Sequence, residues 1–135
     1  MSYVALATDQ FEAVTDFYGR VLGFPILDEW DRPSGRGRRF DLGGGLRLEL
    51  LDNGRQATPL TLLEPGERFH VVVEVADIAA AHRRVLCAAP EPVATSWGAR
   101  LFRVRDPDGV AVTFLEWVRP APETGPNLKG DTADG

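Results

Sequence analysis

Four polar residues of this 135-residue sequence stand at matching points of short apolar stretches typical of β-strands. Tyr3 and His70 begin one such stretch in each half of the chain, and Glu49 and Thr113 each lie four residues after a glycine that opens another. A carboxylate and an imidazole on neighbouring strands could bind a metal ion, transfer protons or orient a polar ligand. The pattern predicts one polar site, whose geometry depends on how the strands are arranged.

The strands have two unlike faces, because side chains alternate along a strand. One face is wholly apolar and is predicted to be the core; it consists of Val4, Leu6, Leu46, Leu48, Leu50, Phe69, Val71, Val73, Val75, Val110, Val112 and Phe114. The opposite face mixes small, charged and apolar residues, among them Tyr3, Arg47, Glu49, His70 and Thr113. Such a mixture on central strands fits the lining of a concave pocket.

The order of elements is repeated, which indicates an internal duplication. The first half predicts a strand at 3–8, a helix capped by Asp9, and strands at 25–31, 37–42 and 46–52. After a linker at 53–67, the second half predicts a strand at 69–75, a helix capped by Asp77, and strands at 92–97, 100–105 and 110–117. Trp30 in the first half matches Trp97 in the second. The predicted fold is α+β, with two tandem βαβββ modules at about residues 1–56 and 67–119.

The composition argues against several classes of function. The net charge of −5 argues against a nucleic-acid partner, since such proteins cluster Lys and Arg to neutralise phosphates. Cys87 is the only cysteine, so neither an intrachain disulfide nor a cysteine-based zinc site is expected. No apolar run is long enough to cross a membrane, and a cytoplasmic protein without a membrane partner is expected. Residues 120–135 are rich in Pro, Gly, Asp and Thr, and a disordered tail is expected there.

The chain resembles the vicinal oxygen chelate superfamily, which includes glyoxalase I, bleomycin resistance proteins and extradiol dioxygenases. The resemblance covers about residues 2–117 and rests on YVALATD, FYGRVLGFP, GLRLELLD, FHVVVEVADI and RDPDGVAVTFLEW, in this order and spacing. It implies paired βαβββ modules that form an incomplete barrel around a cavity. It also implies a homodimer, often with pockets built from both chains.

The resemblance also bears on metal binding. In the metal-dependent members a divalent cation is held at the four symmetry-related strand positions, usually by His, Glu, His and Glu. Carried over by position, this chain has Tyr3, Glu49, His70 and Thr113, of which only Glu49 and His70 fit. A neutral tyrosine and a threonine hydroxyl are poor ligands for such an ion, so no cofactor is expected and a metal at Glu49 and His70 is not favoured.

Three functions remain open at this point. The favoured one is a metal-free protein that encloses a small aromatic or cationic ligand, with Tyr3, Trp30, Arg47, Glu49, His70, Trp97 and Thr113 as the predicted ligand-binding residues. The second is a metal-dependent lyase, isomerase or dioxygenase in which another residue, such as Glu74, completes the coordination. The third is a metal-free enzyme with Glu49 as general base. Arg47 is a candidate partner for Glu49 in a structural ion pair.

Overall fold

The chain forms two four-stranded sheets and two short α-helices within residues 1–118, which the computed structural model describes. The first half contains β1 (Val4–Thr8), α1 (Phe11–Asp16) continuing into a π-helical turn (Phe17–Val21), β2 (Ile26–Arg32), β3 (Gly35–Gly43) and β4 (Leu46–Asp52), followed by a 3₁₀ turn at Asn53–Arg55. The second half contains β5 (His70–Glu74), α2 (Ile78–Arg84), β6 (Val93–Ala94), β7 (Ala99–Arg105) and β8 (Ala111–Trp117). The tail predicted at 120–135 lies outside the described residues, and the limits of the domain and its modules stay a prediction.

The two sheets share one topology. Their strand orders are β1-β4-β3-β2 and β5-β8-β7-β6, with the first strand of each half parallel to the last and the other pairs antiparallel. A parallel pair needs a crossover connection, which here contains the helix of each half. The predicted duplication of a βαβββ unit is therefore confirmed.

One hydrophobic core serves both halves. All members of the predicted apolar face except Phe69 belong to it or pack against it. Phe24, just after the first helical segment, stacks on Phe114 of β8, so the first half packs directly on the second sheet. Burial of such apolar area contributes roughly 25 cal/mol per Å².

A buried hydrogen bond also joins the two halves. The hydroxyl of Tyr18, which is fully buried beside Phe40, donates to Oδ2 of Asp106 at 2.8 Å. Burial and the neighbouring Asp106 charge raise the pKa of Tyr18 well above its ordinary value, so the phenol remains a donor. Burial also raises the pKa of Asp106, although hydrogen bonds from Val110, Tyr18 and Asp108 oppose this.

The faces turned away from the core are called the open faces. Strand register assigns Asp28, Trp30, Gly37, Arg39, Arg47 and Glu49 to the first open face, and Tyr3 lies against it. Register assigns His70, Val72, Val93, Leu101, Arg103, Thr113 and Leu115 to the second open face. All of the predicted site residues except Trp97 thus lie on or against one of these two faces.

Two local predictions are wrong. Gln10, not Asp9, is the N-cap of α1, because the Asp9 carboxylate instead accepts a hydrogen bond from the side chain of Asn53 at 2.8 Å. The strand predicted at 92–97 is reduced to β6, because Thr95 and Ala99 bond to each other and close a turn. Trp97 lies in that turn and not in a strand. The predicted N-cap at Asp77 is confirmed by the bond from the Ala80 amide.

Candidate functional site

The centre of the first open face is Arg39. It lies directly across the ladder from Glu49 on β4 and from Asp28 on β2. Its Nε and Nη2 donate to Oε2 of Glu49 at 3.2 and 2.9 Å, and its Nη1 donates to Oδ2 of Asp28 at 3.0 Å. All three guanidinium nitrogens are therefore engaged by two carboxylates.

Two aromatic rings hold the same guanidinium. Its carbon lies 4.7 Å from the centre of the Tyr3 ring and 5.2 Å from that of Trp30. The Trp30 indole takes this position because the facing residue is Gly37, where an added Cβ would come within 2.4 Å of the ring. Cation–π contacts of this kind add to the ion pairs in fixing the guanidinium.

In the Arg39–Glu49 pair the carboxylate is buried and the guanidinium is partly exposed. Glu49 is only 7% exposed, so its charge needs a partner. The hydrogen bond from Arg39 to Glu49 raises the pKa of the guanidinium, and the charge of Asp28 adds to this. The partner proposed from the sequence, Arg47, is therefore wrong, and Arg39 was missed. Alternation along β3 places Arg39 on the open face, but its position opposite Glu49 also depends on a register shift beside the glycine turn.

The second open face repeats this ladder position with different chemistry. Arg103 lies opposite Thr113 as Arg39 lies opposite Glu49. Its Nε donates to Oγ1 of Thr113 at 3.0 Å, and Thr113 is only 4% exposed. Thr113 is thus the acceptor for a second strand arginine.

The remaining predicted site residues lie apart from Arg39. His70 is exposed, and its Nε2 is 3.0 Å from the carbonyl oxygen of Glu67. His70 and Arg47 line one small cavity of about 130 Å³. Trp97 packs edge-on against Trp117, which lies four residues along β8 from Thr113, or about 13 Å. The structure therefore gathers Tyr3, Trp30 and Glu49 around Arg39 but leaves Trp97 at the end of the other sheet.

A larger cavity of about 560 Å³ lies between the start of α1, the turn at 106–109 and the linker. Its apolar wall includes Leu6, Val14 and Leu50, and its rim carries the carboxylates of Asp9, Glu64, Asp106 and Asp108. None of the seven predicted ligand-binding residues lines it. This cavity is thus separate from the site predicted by sequence.

The four positions implied for a metal do not fit a divalent cation. Glu49 is bonded to one arginine and Thr113 to another, so a cation there would lie beside a fixed positive charge. Among residues 1–118, no group of three or more His, Cys, Asp or Glu side chains could hold a metal ion, and Glu74 therefore completes no such set. A catalytic zinc site has about three protein ligands, which this arrangement does not supply.

The fold and this geometry agree with a family match. A family model described as the Glyoxalase/Bleomycin resistance protein/Dioxygenase superfamily matches residues 1–114. The chain belongs to this superfamily. No curated protein sequence matches the chain significantly.

Solved structures show the same fold. A glyoxalase/bleomycin resistance protein/dioxygenase from Nocardioides is similar at a TM-score of 0.70 and 24% identity, covering 92% of this chain and 88% of that one. TnmS3, an antibiotic binding protein from Streptomyces sp. CB03234, has a TM-score of 0.61 and 25% identity, with 87% and 97% covered. Lactoylglutathione lyase from Agrobacterium tumefaciens has a TM-score of 0.61 and 20% identity, with 86% and 92% covered.

Within the described part of the chain, no helix has the length and apolar character needed to cross a membrane. The cytoplasmic location stays a prediction.

Replacing Arg39 by methionine should destabilise the protein, because it leaves the Glu49 carboxylate buried without a partner. We expect the melting temperature to fall by roughly 5 °C or more. Arg39→Met combined with Glu49→Gln should recover much of the loss, since the unpaired charge is gone. Thermal unfolding followed by circular dichroism measures both.

The matched control is Arg20→Met, which removes an exposed ion pair with Asp16. Its melting temperature should stay within roughly 2 °C of the parent. If Arg39→Met costs no more than Arg20→Met, the first open face is not organised by its arginine.

Proposed function

We propose that this protein is a metal-free binder of a small organic molecule, which lies against the first open face. The observation that carries the proposal is the position of Arg39 between two carboxylates and two aromatic rings. Arg39 thus occupies the position beside Glu49. A metal-dependent relative would need the carboxylate at that position to be free to bind its ion. The face then offers surface for contact and few free groups for catalysis.

The chemistry of the face favours a flat aromatic ligand over a cationic one. The charges of Glu49 and Asp28 are already offset by Arg39, so they exert little further attraction on a cation. Tyr3 is 47% exposed, and its ring presents apolar area beside Trp30. Aromatic side chains supply large contact areas with defined geometry, which suits the stacking of a planar molecule.

The comparisons support a binder while leaving an enzyme as the alternative. TnmS3, which is described as an antibiotic binding protein, favours the first, and the lactoylglutathione lyase favours the second. The carboxylate of Glu49 is the anionic partner of Arg39, which donates two hydrogen bonds to its Oε2. A general base must accept a proton, and protonation of either oxygen would remove the charge that pairs with Arg39, so we favour binding.

We further propose that the protein is a homodimer in which a second copy covers the open faces. The second open face exposes apolar side chains away from the core, with Val72 45% exposed and Val93 58% exposed, and the 47% exposed Tyr3 lies against the first. Clusters of this kind are rare on surfaces that remain in water. A second copy would convert two open sheets into a closed pocket.

A ligand bound on the first open face should depend on Trp30. Members of a panel of polycyclic aromatic natural products should raise the melting temperature, and the best should bind measurably by calorimetry. We expect Trp30→Ala to weaken that binding about tenfold, because it removes the indole beside Arg39. Trp97→Ala, which changes the distant pair with Trp117, should retain the affinity. A panel without any hit, or hits lost in Trp97→Ala and kept in Trp30→Ala, would contradict the proposed site.

The dimer should be visible in solution. Light scattering after size exclusion should give twice the 14.8 kDa of one chain. Val72→Glu should produce monomers, because it places a charge on the covered face. Leu86→Glu changes an even more exposed apolar residue beyond α2 and should leave the dimer intact. A monomeric parent protein at tens of micromolar would refute the arrangement.

A further inference from the structure

The duplication places two arginines at equivalent points of the two sheets. Arg39 on β3 faces Glu49 on β4, and Arg103 on β7 faces Thr113 on β8, in the same antiparallel register. Each arginine also donates its Nε to the residue that it faces. The backbone frame is thus the same in both halves, and the difference lies in what each guanidinium meets.

The two arginines differ in whether a carboxylate balances their charge. The Arg39 guanidinium is balanced by the carboxylates of Glu49 and Asp28. Arg103 bonds only to the neutral hydroxyl of Thr113, and among residues 1–118 no carboxylate oxygen lies within 4.0 Å of its nitrogens. Its two terminal nitrogens have no acceptor within that part of the chain. The second open face therefore carries an uncompensated positive charge, although the whole chain is acidic.

The strand that could supply a carboxylate stops short. β6 begins at Val93, which pairs with Leu101. The ladder therefore ends before the position that would face Arg103, which is the counterpart of Asp28 facing Arg39 in the first sheet. By register that residue is Glu91, which makes no ion pair with Arg103. Glu74, on the neighbouring β5, makes none either. Arg105, two residues along β7, is already paired with Glu67.

The face is apolar on one side of Arg103. Leu101, Leu115 and Val93 lie on that side, and Val93 takes the position that Trp30 has in the first sheet, whereas Arg105 and His70 lie on the other side. The bond to the buried Thr113 hydroxyl fixes the Nε side of the guanidinium and leaves its terminal side exposed. This gives one oriented, exposed cation at the edge of an apolar area.

We propose that Arg103, positioned by Thr113, binds a carboxylate on an otherwise apolar or aromatic ligand. The planar guanidinium presents parallel N–H donors that match the two oxygens of a carboxylate. The apolar part of the ligand then lies on Val72, Leu101 and Val93. This subsite lies on the second open face and is separate from the site proposed around Arg39 on the first, and the ligand class that it fits is an aromatic acid.

Three probes with one ring system test this proposal by calorimetry: 2-naphthoate, neutral 2-naphthamide and naphthalen-2-ylmethylammonium. We expect 2-naphthoate to bind about tenfold more tightly than the amide, which is the effect of one charge-assisted hydrogen bond, and the ammonium to bind most weakly. Arg103→Gln should abolish the preference for the acid. Arg105→Gln, a change of the same kind on the same strand, should retain it.

Two further variants separate positioning from charge. Thr113→Val should weaken 2-naphthoate about threefold and leave 2-naphthamide unchanged, because it releases the Nε side of Arg103 without removing the charge. Arg103→Lys should retain part of the preference for the acid, since it keeps the charge and loses the planar donor pair. Thermal unfolding of each variant confirms that it is folded.

The outcomes distinguish this inference from the proposed function. If 2-naphthamide binds as tightly as 2-naphthoate and both are weakened by Trp30→Ala, the binder stands and the acid subsite fails. If the preference for the acid survives Arg103→Gln, Arg103 is not the anion site. If 2-naphthoate does not bind at millimolar concentration, the acid subsite fails as well.

Discussion

The buried carboxylate of Glu49 imposes the main constraint on this structure. A charge on a central strand, removed from water, needs an opposite charge within hydrogen-bonding distance. Arg39 supplies it from the adjacent strand, and the two aromatic rings and Asp28 then fix the arginine. Because the carboxylate and its partner are set by the same ladder, the chemistry of the face follows from the pairing of β3 with β4.

The same frame carries different chemistry in the second half. Both halves have the same strand order and the same register, so an arginine faces Glu49 in the first half and Thr113 in the second. A hydroxyl at position 113 in place of the carboxylate leaves Arg103 without a neutralising partner. A fold built from two like modules can thus present a balanced aromatic surface on one sheet and a positive, apolar surface on the other.

Sequence patterns predicted the fold well because they are local or periodic. Alternation along strands identified the core face, and the repeated order of elements identified the duplication. Two details were predicted wrongly: Asn53, distant in sequence, binds the Asp9 carboxylate, and a tight turn removes Trp97 from its strand. The bond between Tyr18 and Asp106 joins residues 88 apart and has no local signature.

The site was predicted less completely, because side-chain partners depend on register. Tyr3, Trp30 and Glu49 do meet, but their common contact is Arg39, which was not among the predicted site residues. The pairing of Arg39 with Glu49 depends on a register shift beside the glycine turn, and the position of the Trp30 ring depends on the absence of a side chain at Gly37.

The central claim is that an arginine, and not a metal ion, neutralises Glu49. Metal content decides it most directly: the protein is produced in medium supplemented with manganese, iron, cobalt, nickel and zinc, dialysed, and analysed by inductively coupled plasma mass spectrometry. We predict a content far below one ion per chain for every metal. A content near one ion per chain that survives dialysis and disappears in Glu49→Gln, but not in Glu74→Gln, would contradict it.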